Sequence, residues 1–126
     1  MKTIIHTSDA PAAIGPYSQA CLAGGTLYIS GQIPVDPQTG KLVEGIEKET
    51  HQVMKNLKAI LTEAGMTFDN AVKASIFLKN MDDFAVVNDI YASYFSNEQF
   101  PARETVQVSC LPKNVDVEIS MIAFKG

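Results

Sequence analysis

The chain has 126 residues, 46% hydrophobic and 19% charged, with 8 Gly and 6 Pro spread along it. That length and balance predict one domain over residues 1–126 with a buried core, and they exclude disordered and collagen-like chains. Ten Lys and Arg against fourteen Asp and Glu give a net charge of −4, a field that repels polyanions and argues against nucleic acid as a partner.

Cys21 and Cys110 are too few for a disulfide framework, and neither lies in a CxxC pair or near a His at metal-ligand spacing. Both are expected to be reduced, buried structural thiols. No apolar run approaches the roughly 18 residues of a membrane span, and Met1–Thr7 has no signal-peptide core. A cytoplasmic protein with no membrane partner is the expectation.

In chain order, Lys2–Thr7 is a short β-prone start and Pro11–Pro16 a loop, because its prolines cannot donate to a ladder. Tyr17–Ala23 and Thr26–Gln32 flank Gly24-Gly25, which supplies the positive φ of a tight hairpin turn. Pro34–Gly45 is rich in turn formers and reads as an exposed loop. From Ile46 the period changes: Ile46, Val53, Leu57, Ile60, Leu61 and Ala64 recur at helical spacing, and Gly65 is placed to end the helix. Ala71–Leu78 alternates as a strand, with Val72, Ala74, Ile76 and Leu78 on one side and Lys73, Ser75 and Phe77 on the other. A second helix begins near Asn80 or Asp82 and buries Phe84, Val87, Tyr91 and Tyr94 or Phe95. Thr105–Cys110 and Val115–Phe124 are strands around a turn at Leu111–Asn114. The β-β-β-α-β-α-β-β order implies an α+β fold with two helices on one face of a mixed sheet.

Gly40-Lys41 is not a phosphate loop, because Val35 and Leu42 stand where that motif needs a Gly and a hydroxyl residue. His6 and His51 lack partners at triad or metal spacing, so both read as surface or structural, and no metal is expected. A regular hairpin around Leu111–Asn114 would set Gln107 opposite Glu118 and Thr105 opposite Ser120. Arg103, Thr105, Gln107, Glu118 and Ser120 would then share one face, and Val106, Val108, Cys110, Val115, Val117, Ile119 and Met121 the buried one. An Arg, a hydroxyl and a carboxylate on one face suit either an anionic ligand with acid/base chemistry or an ordinary solvated surface with an incidental ion pair.

Four segments in order, Ala13–Ala20, Leu27–Pro34, Val87-Asn88 with Tyr91, and Pro101-Ala102-Arg103 through Val117-Glu118-Ile119, resemble the Rid family, also called YjgF. Its RidA branch hydrolyses reactive enamines and imines. The resemblance spans nearly the whole chain and implies a chorismate-mutase-like domain that trimerises into a sheet-lined barrel, with active sites between subunits. It implies a small 2-imino acid substrate, 2-iminopropanoate or 2-iminobutanoate, released by pyridoxal-phosphate-dependent dehydratases and converted to a 2-oxo acid and ammonia. By the same resemblance Arg103 clamps the carboxylate and Glu118 activates water. Tyr17, Ser30, Gly31 and Thr105 bind substrate, and no cofactor is needed; Asn88 matches the family as well but reads as structural. Thr105 stands where RidA proteins often have Cys, which removes any thiol role, and Glu104 follows Arg103 where a small residue is usual. The alternative is a non-catalytic trimeric binder that keeps the Arg103 clamp to sense 2-oxo acids or to meet a partner protein. A ribonuclease is disfavoured by the negative charge and the absence of a basic stripe.

Overall fold

The change of period at Ile46 becomes the longest element in the computed structural model, which describes residues 1–126. The eight regular elements are β1 (Lys2–Ile5), β2 (Ala20–Ala23), β3 (Thr26–Gln32), α1 (Ile46–Glu63), β4 (Ala71–Leu78), α2 (Phe84–Ala92), β5 (Ala102–Gln107) and β6 (Val117–Phe124). Their order is the expected one, and both helices pack on one side of a mixed sheet. Val53, Leu57, Ile60 and Leu61 of α1 are wholly buried against that sheet. The helix ends as its sequence predicts: Gly65 has φ +74°, its N–H donates to the Thr62 carbonyl, and the Met66 N–H donates to that of Leu61.

The β2–β3 hairpin turns at Gly24-Gly25 and pairs Ala23 with Thr26. It is shorter than expected: regular pairing starts at Ala20, with only the Gln19 carbonyl still accepting from the Ser30 N–H. The buried Gln19 side chain instead accepts from the Thr7 N–H at 2.7 Å and donates to the Thr7, Ala10 and Pro11 carbonyls, tying two loop segments together. Asn56, fully buried on α1, holds the long loop in the same way by donating to the Ile33 and Val35 carbonyls. Asn80 does cap the second helical region, accepting from the Asp82 N–H, although a 3₁₀ turn over Met81–Asp83 precedes α2.

The sheet order is β1-β2-β3-β6-β4-β5, with β4 and β5 parallel and every other pair antiparallel. This overturns the terminal hairpin. β5 and β6 are not neighbours; β4 lies between them and pairs with both. The physical reason is the length of the Val108–Asp116 connection, which can cross two strand spacings of about 4.8 Å each. The Val108 N–H still bonds the Leu78 carbonyl, and the Lys79 N–H the Asp116 carbonyl, so both edges of the apolar β4 are satisfied.

Directly paired residues share a face. The helix side therefore carries the rows Met121–Ala74–Arg103, Ile119–Ile76–Thr105 and Val117–Leu78–Gln107. The open side carries Ile122–Lys73–Ala102, Ser120–Ser75–Glu104 and Glu118–Phe77–Val106. Val106 is 41% exposed, and Cys110 is exposed as well, so neither is a core residue. Val72 also moves from the core to the surface. Ala71 pairs with Ala123 and Lys73 with Ile122, so one extra residue on β4 forms a bulge that turns Val72 outward.

Candidate active site

Arg103 stands on the edge strand β5, on the helix side. Its guanidinium Nη1 donates to Asn88 Oδ1 at 2.7 Å, and its Cζ lies 5.6 Å from the Phe84 ring centre and 5.4 Å from that of Tyr91. Both distances fall within cation–π range. A cleft of about 370 Å³ opens here between α2 and β5, lined by Asn88, Tyr91, Ala92, Phe100, Pro101 and Arg103. Thr105 lies two residues on along the same face, and its Oγ1 is buried without a hydrogen-bond partner, as is the Tyr91 hydroxyl. Burial pushes the Tyr91 phenol up to about 12 despite the opposing charge of Arg103, so the hydroxyl remains neutral.

Glu104 points the other way, as strand alternation requires. Lys73 Nζ lies 2.8 Å from its Oε1, and Ser75 Oγ donates to its Oε2. Hydrogen bonds from Lys73 and Ser75 hold this carboxyl below its ordinary range. Its charge is engaged on the open face and does not face the Arg103 cleft.

Glu118 sits on that open face, directly paired with Phe77 and against Gly31. β3 carries an extra residue between Ile29 and Gln32, and this bulge brings Gly31 so close that a Cβ there would lie 2.5 Å from Glu118 Oε2. A side chain at this position would displace the Glu118 carboxylate. Burial pushes the Glu118 carboxyl up from its ordinary value. Beside Gly31, Ser30 Oγ donates to the Ser18 carbonyl at 2.6 Å and the Ser30 N–H to the Gln19 carbonyl. Ser30 thus pins the segment that carries Tyr17, a residue that is 55% exposed.

Within one chain the fold brings Gly31 to Glu118, Ser30 to the Tyr17 segment, and Thr105 to the Arg103 face. It does not bring Arg103 to Glu118: the two occupy opposite faces, with β4 between their strands. The expected shared face is corrected accordingly, and Gln107 is also drawn elsewhere, its Oε1 accepting from the Met81 N–H at 2.8 Å. Asn88 and Phe100 line the Arg103 cleft and Phe84 stands over the guanidinium, contacts the sequence alone did not single out. The signal for Phe84 and Asn88 was present, because Phe84, Asn88 and Tyr91 recur at i, i+4 and i+7 on one helix face.

The family described as Endoribonuclease L-PSP matches residues 7–125. The chain is 50% identical over 127 residues to the 2-iminobutanoate/2-iminopropanoate deaminase of Bos taurus, covering 100% of this chain and 92% of that one. Among solved structures, the Rid protein YyfA of Yersinia pestis superposes with a TM-score of 0.97 at 56% identity, over 99% of this chain and 100% of that one. TdcF of E. coli with bound serine gives 0.94 at 40% identity, over 98% and 99%. With sequence and fold matching end to end, the chain belongs to the Rid family.

Proposed function

We propose that the protein is a metal-free 2-imino acid deaminase that hydrolyses 2-iminopropanoate and 2-iminobutanoate to 2-oxo acids and ammonia. The observation that carries this reading is the Glu118 carboxylate, seated against a backbone with no side chain at Gly31, its pKa raised by burial. Raising a carboxyl makes it a better proton acceptor, and with no side chain at Gly31 the backbone lies close against that carboxylate. The bovine relative's name and the serine bound by the E. coli relative support a small amino-acid-derived ligand.

In this mechanism Arg103 binds the substrate carboxylate, two N–H groups to two oxygens. Glu118 takes a proton from water as the oxygen attacks the C=N carbon, and the electron pair of the broken π bond moves to nitrogen. Protonation of that nitrogen and collapse of the tetrahedral carbinolamine release ammonia and leave the 2-oxo acid. The Gly31 backbone, the Thr105 and Ser30 hydroxyls and the Tyr17 ring orient substrate and water. Because Arg103 and Glu118 lie on opposite faces of one sheet, a site using both takes them from two copies, which we assign to a homotrimer. The imine itself comes from pyridoxal-phosphate-dependent dehydration of serine or threonine.

The test generates imine in situ with a dehydratase, adds competing semicarbazide, and follows 2-oxo acid release. Wild type should accelerate release, while Arg103→Ala and Glu118→Ala should each lose about 10²- to 10⁴-fold in rate. If wild type gives no acceleration but binds 2-oxobutanoate through Arg103, the protein is a sensor of 2-oxo acids instead.

A further inference from the structure

The Arg103 side chain reaches out from an edge strand, where a long guanidinium would ordinarily sample many rotamers. Here one face of α2 is committed to it. Phe84, Asn88 and Tyr91 sit at i, i+4 and i+7, and each touches the guanidinium: two by their rings, the third by an amide oxygen. All three are uncharged. Arg103 makes no ion pair, and its hydrogen bond to Asn88 engages Nη1 alone. Four of the five N–H bonds of the fork therefore remain for a ligand, and the full positive charge remains with them. An aspartate at position 88 would make a stronger bond, but it would neutralise the cation and occupy the edge of the fork that a carboxylate needs.

The geometry points to Asn88 as the positioning residue of the carboxylate clamp, a neutral acceptor that fixes the Arg103 fork without using its charge. The inference rests on Arg103 as the clamp, but not on Glu118 or on turnover. The guanidinium lies over the Phe84 and Tyr91 rings, which restrict it, and Asn88 Oδ1 sets its rotation about the side-chain axis.

The experiment titrates 2-oxobutanoate into wild type, Asn88→Ala and Asn88→Asp by calorimetry, and records the Arg103 side-chain ¹⁵N resonances of each. Wild type should show separate Nη signals from hindered rotation, and Asn88→Ala should average them and bind about tenfold more weakly. Asn88→Asp, nearly isosteric, should keep the signals separate yet bind more weakly than Asn88→Ala. In the imine assay Asn88→Ala should raise KM about tenfold and change kcat by less than about threefold. A merely structural role predicts the reverse order, with Asp the milder change, and that result overturns the inference. So does unchanged binding in both variants. If Asn88→Ala fails to fold, Asn88→Asp still decides by its affinity and its spectrum. Binding without turnover in the wild type would refute the deaminase and leave the positioning role standing, whereas no binding at all would refute the clamp and this role together.

Discussion

The two faces of the sheet are built from the same strands and meet different fates. On the helix side, Leu27, Ile76, Leu78, Val117, Ile119 and Met121 are at most 2% exposed beneath α1 and α2. On the open side, apolar Tyr28, Val106 and Phe124 are 51%, 41% and 50% exposed, set among Lys73, Ser75, Glu104, Glu118 and Ser120. One face is completed by its own chain. The other carries apolar side chains beside a carboxylate whose pKa is raised, and our reading gives it to neighbouring copies. The comparison teaches that a single strand can serve stability with one set of side chains and chemistry with the next. β5 carries Arg103 toward α2 and Glu104 toward the open face, one residue apart.

The sharpest contrast comes from truncating one apolar side chain on each side. Leu57→Ala on the helix side, at a fully buried position, should cost about 2–5 kcal/mol in urea unfolding. Val106→Ala on the open side should cost a single chain less than about 1 kcal/mol, yet lower the average mass in sedimentation. Equal costs with unchanged mass would remove the distinction between the faces.

A smaller effect is expected at Gly31. An alanine Cβ would stand 2.5 Å from Glu118 Oε2, so Gly31→Ala should displace the carboxylate and lower imine turnover by roughly tenfold, leaving the affinity for 2-oxobutanoate through Arg103 nearly unchanged. Loss of affinity without loss of turnover would detach Gly31 from the Glu118 half of the site.

A third contrast probes the end of the helix face. Glu49, 4% exposed in the first turn of α1, accepts from the Asp116 N–H at 3.0 Å. Burial, with the Asp116 carboxyl beside it, pushes its pKa up to about 7. The folded chain therefore holds this proton up to about pH 7, while the unfolded chain releases it near its ordinary value of 4.5. Stability is fullest below that value and falls as pH rises toward 7. The urea midpoint should be lower at about pH 7.5 than at about pH 5, and Glu49→Gln should flatten that slope. Burial and nearby Asp116 and Asp82 raise Asp83 as well.

Much of the fold was legible because its signals are local. The i, i+3, i+4 stripe from Ile46 to Ala64 can bury itself in one way, and Gly65 at φ +74° is a backbone requirement written in a single residue. Gly24-Gly25 likewise announces its turn. The buried staples were not legible: Gln19 and Asn56 look like surface polar residues, and only their contacts with loop carbonyls show that they hold those loops. The two bulges escaped for a related reason. At Val72 and at Ser30-Gly31 the extra residue is defined by the partner strand, which single-strand alternation does not contain.

The candidate site divides along the same line. The types of residue needed, an Arg behind a proline, a hydroxyl two residues on and a carboxylate in the last strand, stand in the sequence, as does the family resemblance that assigns them roles. Which face each one occupies was decided by pairing. A short turn and two alternating strands suggested a hairpin, but the apolar β4 takes the place between β5 and β6, since that arrangement satisfies both of its backbone edges. That insertion puts Arg103 and Glu118 on opposite faces. The sequence by itself determined the element order and the chemistry available. Only the tertiary structure decided which of those groups meet within one chain, because strand neighbours are set by long-range hydrogen bonding and burial and not by distance along the chain.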